Sequence, residues 1–571
     1  MPTWTMSFPF PGAIAGHRFG RFAGQGLRRA LAALLAALLT ASLVACGGGG
    51  GSAEPAVAPP PAIPDGWPIS LQASSDAITV RWSPLATAVR YTVWHRPAGQ
   101  TGGGTASRTL AADLPTVHTI PELGPGRTTT VWVTAELPAA GSSRSAEAQL
   151  RTTAGSATPQ TRSSYRPGTQ SLPVLVIDTA GGVAVDNRED YRSATFSLFA
   201  DSAGRDSGVR LAAGAVQIRG RGHSSWEQHP KKPYRLRLAT ATALLGMPAN
   251  RHWVLLANHS DKTLLRNDLA FEIARRIGLP YTTRSRTVEV TLNGDYLGAY
   301  SLVEHIRQGS ERVAVAELGA SADDNTEPRI SGGYLLEVDR TDATDPGFDS
   351  RVCTSQSPRM RLTVQTPDPP TATQLAWIDN YWNQTERALH AGNFADPVNG
   401  YAAWIDVDSF VDWIIHAEIV HNIDSFRFST FLTKDRGQKL RIGPVWDFDL
   451  AMGNYDTYFS DRPGRTDGFS PALTRCWYSR LMADPAFVSR VKARWAALRA
   501  GSLADLSPFL REQARLTAPA AANNEARWGI LSAPLWKNVV AAGSYDAEVE
   551  YLDWWLQRRL RWLDSQWRQA P

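Results

Sequence analysis

Two short acidic motifs in the second half of the chain carry residue types that could do chemistry. The first is His421-Asn422-Ile423-Asp424, at the end of a predicted helix, and the second is Trp446-Asp447-Phe448-Asp449, after a predicted strand. Strand-like sequence joins them. One carboxylate that orients a hydroxyl nucleophile, and another that holds a divalent cation, is the arrangement phosphoryl transfer requires. Upstream, a Gly/Ser-rich turn, Arg219-Gly220-Arg221-Gly222-His223-Ser224-Ser225, runs into the pair Lys231-Lys232. A glycine-bearing turn followed by cations suits a polyphosphate. Each motif is weak alone; their order within one stretch is stronger.

These residues need elements to position them. Pro173-Val174-Leu175-Val176-Ile177 reads as a buried strand. Ser260-Asp261 can cap a helix carrying Leu265, Leu269, Ile273 and Ile277, which share a face at i+4 spacing, and Gly278 and Pro280 end it. Asn293-Gly294 predicts a tight hairpin turn, with Val288, Val290 and Leu292 on one face before it and Tyr296 to Val303 returning. A helix is expected over 408–420, with Phe410, Trp413, Ile414 and Ala417 inward. Trp-rich helices follow from about Asp484, their tryptophans suited to a core.

The chain has 571 residues, too many for one ordinary core, so two or three domains are expected. The content of 43% hydrophobic and 20% charged residues suits a globular protein, and the net charge of +5 fits a mildly basic surface. No arginine stripe accompanies a nucleic-acid motif, so no nucleic-acid partner is expected. His416 and His421 stand at i, i+5 and do not share a helix face as zinc ligands at i, i+4 would.

The N-terminus reads as an export signal. Arg18, Arg21, Arg28 and Arg29 precede an apolar run from Ala30 to Ala45, too short for a comfortable membrane span. It closes with Leu43-Val44-Ala45-Cys46 and five glycines, which resembles the bacterial lipobox. That resemblance implies a signal over 1–46, lipidation at Cys46, and a membrane partner through the lipid. Gly47 then favours the outer membrane or cell surface of the bacterial envelope. Residues 47–63 form a Gly/Pro-rich tether. Cys353 and Cys476 remain, and two cysteines in an exported protein could pair.

Residues 64–153 alternate apolar and polar types in short runs, as in Ala77–Trp82, Tyr91–Trp94 and Thr128–Ala135, which argues for a β-sandwich. The stretch resembles a fibronectin type III module with Trp82 as its core tryptophan. The module's tyrosine corner is missing, because Thr129 follows Leu123-Gly124-Pro125-Gly126 where the tyrosine would stand. A linker over 154–170 leads to a large α/β (α+β) domain over 171–571. The fold expected is therefore multidomain.

That domain resembles the spore coat protein H (CotH) kinase family. The likeness rests on Arg219–Trp226, Pro230–Arg235, Trp253–Asn258, Ser260–Asn267, Leu292–Gly298, Gly332–Glu337 and Trp446–Asp449, in order. It implies an atypical protein-kinase-like fold that binds ATP with Mg²⁺ or Mn²⁺ and phosphorylates Ser/Thr of a protein partner. Carried over by motif, Asp424 is the catalytic Asp and Asp447 the metal ligand, with Asp449 assisting. Lys232 is the cation beside the phosphates, with Lys231 as alternate. Arg219, Gly222 and Ser224 cover the phosphates, and Glu304 meets the nucleotide. The chain departs from typical kinases in having Ser429 where a second-metal Asn would stand, and Asp449 in place of the glycine of Asp-Phe-Gly. AMP transfer on the same scaffold, and an inactive surface binding or assembly module, are the competing readings.

Overall fold

The computed structural model describes residues 69–568, apart from 152–171 and shorter stretches such as 341–344, 354–359, 456–463 and 471–475. The export signal, Cys46, the tether and the linker lie outside the described residues. Among the described residues, no helix is long and apolar enough to cross a membrane.

The first region is a sandwich of two antiparallel sheets. Strands β1 (Ile69–Ala73), β2 (Ile78–Trp82) and β5 (Val117–Ile120) form one sheet. The other holds β3 (Arg90–Pro97), β4 (Thr105–Ala111), β6 (Thr128–Leu137) and β7 (Gly141–Arg144), and β8 (Ala148–Arg151) also pairs with β6. Alternation places Ile78, Val80, Trp82, Tyr91, Val93, Val131 and Val133 in its core. Trp82 meets Tyr91 edge-on at 5.4 Å. Thr79 Oγ1 donates to the carbonyl of Ala542 at 3.3 Å, a contact with the C-terminal region.

Seven further strands close into a barrel: β9 (Val174–Thr179), β10 (Arg192–Phe199), β11 (Ala212–Gly220), β12 (Tyr234–Leu244), β13 (Met247–Leu256), β14 (Ser285–Leu292) and β15 (Asp295–Glu304). All neighbours are antiparallel except β14 and β9, whose parallel pairing seals it. Closure leaves no exposed sheet edge. The expected hairpin is β14–β15, turned by Asn293 at φ 53° and Gly294 at φ 78°, the left-handed pair a type I′ turn needs. Ile177, Ile218, Leu236, Trp253, Leu255, Val288 and Leu302 fill the interior.

Helix α1 (Arg266–Ile277) links β13 to β14. The Asp261 carboxylate accepts from the Arg266 N–H at 2.7 Å, so the capping oxygen comes from the residue expected, although regular helix starts later. Gly278, at φ 95°, ends the helix by donating to the carbonyls of Ala274 and Arg275. Leu269 and Ile273 are fully buried. Leu269→Ala would cost about 2–5 kcal/mol, the usual range for such a cavity.

Below the barrel lies a five-stranded sheet in the order β17 (Gly347–Asp349), β18 (Arg361–Thr366), β16 (Tyr334–Val338), β19 (Thr430–Lys434) and β20 (Arg441–Ile442). Helices α2 (Ala372–His390), α3 (Val407–Val420), α4 (Cys476–Leu481), α5 (Pro485–Ala500), α6 (Ser507–Trp528) and α7 (Tyr545–Trp567) complete this half. Helix α3 is buried on nearly every side rather than along one stripe. Trp382, Trp477, Trp495 and Trp555 have no exposed surface, whereas Trp528, Trp536, Trp554 and Trp562 are half-buried. Cys353 and Cys476 are bonded, with Cα atoms 5.6 Å apart.

Candidate active site

A cleft of about 630 Å³ carries the chemistry. The β11–β12 loop supplies Arg221, Gly222, Ser224 and Ser225 to its lining, and the flanking strands supply Arg219 and Arg235. His305 and Ile306, just past β15, contribute one wall. Glu337, Asp339, Asp424, Ser429, Asp447 and Asp449 contribute the acidic part.

Asp424 is placed by the end of α3. His421 takes a left-handed conformation, φ 46°, and its N–H closes on the carbonyl of Ala417 at 2.9 Å, which stops the helix. His421 Nδ1 pairs with the Tyr455 hydroxyl at 3.0 Å. Asn422 then does two things: its side-chain oxygen accepts from the Asp424 N–H at 3.2 Å, and its amide donates to the carbonyl of Asp447 at 3.0 Å.

Asp447 itself sits at φ 71°, a costly conformation for a non-glycine residue. The next peptide is fastened by the Phe448 N–H donating to Asn267 Oδ1 of α1 at 2.9 Å. Asn267 in turn donates to Asn258 Oδ1 at 3.1 Å, and Asn258 donates to Ser301 Oγ of β15 at 2.8 Å. A continuous amide network therefore runs from the barrel to the acidic turn. Asp449 accepts from Ser260 Oγ at 3.0 Å, and that hydroxyl also meets His229 Nε2 at 2.9 Å.

The carboxylates crowd one another. Ser429 Oγ lies 3.4 Å from both Asp339 Oδ2 and Asp447 Oδ2. Burial first, then the Asp447 charge, pushes the Asp424 carboxyl up to about 6. The same two causes push Asp449 up to about 7. Burial also raises Asp447, Asp339 and Glu337, while the Arg221 guanidinium pulls all three back. Asp447 is open to solvent yet ringed by protein atoms in the cleft, and that ring weakens its hydration.

Among the described residues, no group of three or more His, Cys, Asp or Glu side chains is arranged as a ready-made metal cage. Mg²⁺ characteristically takes one or two carboxylates and completes its shell with water and phosphate oxygens. The crowded pair Asp447 and Asp339, with Ser429 between them, fits that partial donor set. Asp449, bonded to Ser260, stands beside it.

Three expected binding residues do not line the main cleft, although Lys231 lines a small adjoining pocket with Arg221, Asp447 and Asp449. Lys231 is buried, its ammonium donating to the carbonyl of Ala299 and to Asn524 Oδ1, the latter at 2.7 Å. Lys232 donates to the carbonyl of Trp226 and covers that ring at 5.4 Å. Neither lines the main cleft. Glu304 is fully buried and held by Arg284 at 2.9 Å and the Tyr281 hydroxyl at 3.1 Å, so no oxygen of it reaches the cleft. Arg219, Gly222 and Ser224 do line it. Gly222 has φ 81°, and a Cβ there would meet Ser225 Oγ at 2.3 Å, so the loop demands glycine.

Sequence reasoning passed over Arg221, Arg235 and Asp339. Arg221 lies inside the quoted turn and was hidden by the lysines beyond it. Asp339 stands two residues past Glu337, the same side of an extended segment.

The chain matches the family model described as CotH kinase protein over residues 216–563. It belongs to the CotH kinase family, and the cleft lies within the matched region. No curated protein matches it. Solved structures similar to it include titin kinase with its flanking domains, at 8% identity and TM-score 0.14, covering 43% of this chain and 38% of that one. Chicken CNTN1 FN1–FN3 is 12% identical with TM-score 0.14, covering 30% and 60%. The twitchin kinase region from C. elegans is 10% identical with TM-score 0.15, covering 89% and 72%. The chain thus spans 38% and 60% of the first two. At these TM-scores the overlaps carry no argument.

Proposed function

We propose that this chain is an exported, lipid-anchored kinase that transfers the γ-phosphoryl group of ATP to Ser or Thr of a surface or secreted protein. Membership of a kinase family supports the reaction class. The observation that carries the reading is the single side chain of Asn422, which fixes Asp424 and Asp447 together in one cleft beneath a glycine-bearing loop.

Asp424 is the residue assigned to the acceptor hydroxyl. Its raised affinity for a proton suits a group that must take one from a weak acid. Asp447 and Asp339 would hold Mg²⁺ or Mn²⁺, which when bound screens the phosphate charge. Ser429, 3.4 Å from an oxygen of each, can donate its hydroxyl to either carboxylate. The family likeness suggests the protein acceptor, and the lipobox-like segment ending at Cys46 suggests the envelope location.

The test is to incubate the full-length protein with Mg²⁺ or Mn²⁺ and ATP labelled on the α or the γ phosphate, with a generic protein acceptor. Label from γ alone, lost in Asp424→Ala, is the expected result. Label from α would make the protein an AMP transferase. No label from either, with no metal-dependent ATP binding, would leave a binding module.

A further inference from the structure

The cations of the cleft are guanidiniums. Arg219 on β11 and Arg235 on β12 are register partners, directly opposite across an antiparallel pair. Like charges in that position repel and destabilise the pair. Neither forms an ion pair with a carboxylate among the described residues, and each has a buried Nε without a hydrogen-bond partner. Arg219 spends one Nη on the carbonyl of Arg188 and lies 5.1 Å over the Tyr191 ring, which orients it without neutralising it. Burial, and then the nearby Arg219, Arg307 and Arg221 charges, press on the Arg235 guanidinium, against a pull from Tyr191.

Arg221 extends this row toward the acidic part of the cleft. It lies 5.5 Å over the Trp446 ring, next to Asp447 in sequence, and its charge acts on Glu337, Asp339 and Asp447. The cleft therefore has a cationic row that ends beside a carboxylate cluster. A chain of phosphates carrying a divalent cation at one end complements both parts. Arg219 and Arg235, half-buried, opposite one another and without a carboxylate partner, leave uncompensated positive charge lining the cleft, which suits an anion. Guanidinium forks also match phosphate oxygens two at a time, which an ammonium cannot do.

We propose that Arg219, Arg221 and Arg235 hold the polyphosphate of the nucleotide, in place of a lysine ammonium. This rests on the kinase reading and adds to it the residues that anchor the substrate. Lys231 and Lys232 serve the structure: the first ties β15 to α6 through Ala299 and Asn524, and the second closes the loop onto Trp226.

The test measures equilibrium binding to full-length protein of three probes: ATP with Mg²⁺, inorganic tripolyphosphate with Mg²⁺, and adenosine. Arg235→Gln and Arg221→Gln should each weaken ATP and tripolyphosphate by about 10- to 100-fold, the scale of a lost charge-assisted phosphate contact, and leave adenosine unchanged. Lys232→Met, which removes only the loop's tie to Trp226, should not weaken ATP and tripolyphosphate selectively over adenosine. The proposal is overturned if Lys232→Met loses ATP while Arg235→Gln keeps it, or if Arg235→Gln weakens adenosine and ATP alike. If the parent binds tripolyphosphate but not ATP, and Arg235→Gln loses it, the cradle stands and the nucleotide reading falls. If the parent binds neither, both fall.

Discussion

Asn422 and Asp447 are joined by a hydrogen bond of 3.0 Å from the side-chain amide to the backbone carbonyl, so the residue that sets Asp424 also sets the acidic turn. Removing this bond should misplace two carboxylates at once without emptying the cleft of charge. Asn422→Ala should lower phosphoryl transfer by about 10²-fold, the cost of a small displacement of reacting groups, with ATP affinity changed little. Steady-state kinetics with separate KM and kcat checks this. A loss confined to KM would show that Asn422 acts on binding.

Asp424 carries its own prediction. Asp424→Asn should bind ATP and metal as the parent does, and lose about 10²–10⁴-fold in transfer, the contribution of a positioned base. In the parent, the transfer rate should fall as pH drops through about 6, because the acceptor-side carboxylate becomes protonated there. A cation bound at Asp447 relieves part of the repulsion and shifts that fall lower. A pH–rate profile at saturating ATP, in which Asp424→Asn shows no such limb, is the expected result.

The crowded carboxylates also govern stability. Their proton affinities are raised in the folded protein, so the folded state binds more protons than the unfolded one between the unfolded value and the folded one. Stability is then lost as pH rises from about 4, the ordinary value of an aspartate carboxyl, to about 7, the value for Asp449. Thermal melts without divalent cations should show a Tm that falls over this window. Mg²⁺ should restore it by binding the folded state only. Asp447→Asn should raise the metal-free Tm at neutral pH by about 2–4 °C while abolishing the rise with Mg²⁺. A lower Tm in that variant would mean the Asp447 carboxylate is a net stabiliser.

The bond between Cys353 and Cys476 spans 123 residues of sequence and joins the region after β17 to α4. Closing so long a loop restricts the unfolded chain, and its removal should cost about 2–5 kcal/mol. Cys476→Ser is the gentler test, since Cys353 is buried. Denaturant unfolding with and without reductant should separate the parent and leave Cys476→Ser indifferent to reductant.

Local signals were legible. Asn293-Gly294 named its hairpin turn, the i+4 row from Leu265 named α1, and the polar stop after Val420 placed Asp424 at a helix end. Each depends on neighbours within a few residues. Long-range partners were not legible. Lys231 reads as a cation for phosphate until Asn524, 293 residues later, takes its ammonium. Glu304 ends a strand facing the right region, but Arg284 and Tyr281 converge on it only once the barrel is formed. Arg219 and Arg235 become opposite one another through strand register, which a run of arginines in a basic chain does not announce. Closure of the barrel by a parallel β14–β9 pair joins residues far apart in sequence, and no motif marks it.

The fastening of Phe448 to α1 through Asn267 has a mechanical consequence. A helix at this place could act as a lever, swinging outward to disarm the site and inward to arm it. Here such a swing would break the amide bond that pins the turn behind Asp447, and would expose the buried Asn258–Ser301 link as well. The barrel, the helix and the acidic turn therefore travel as one piece.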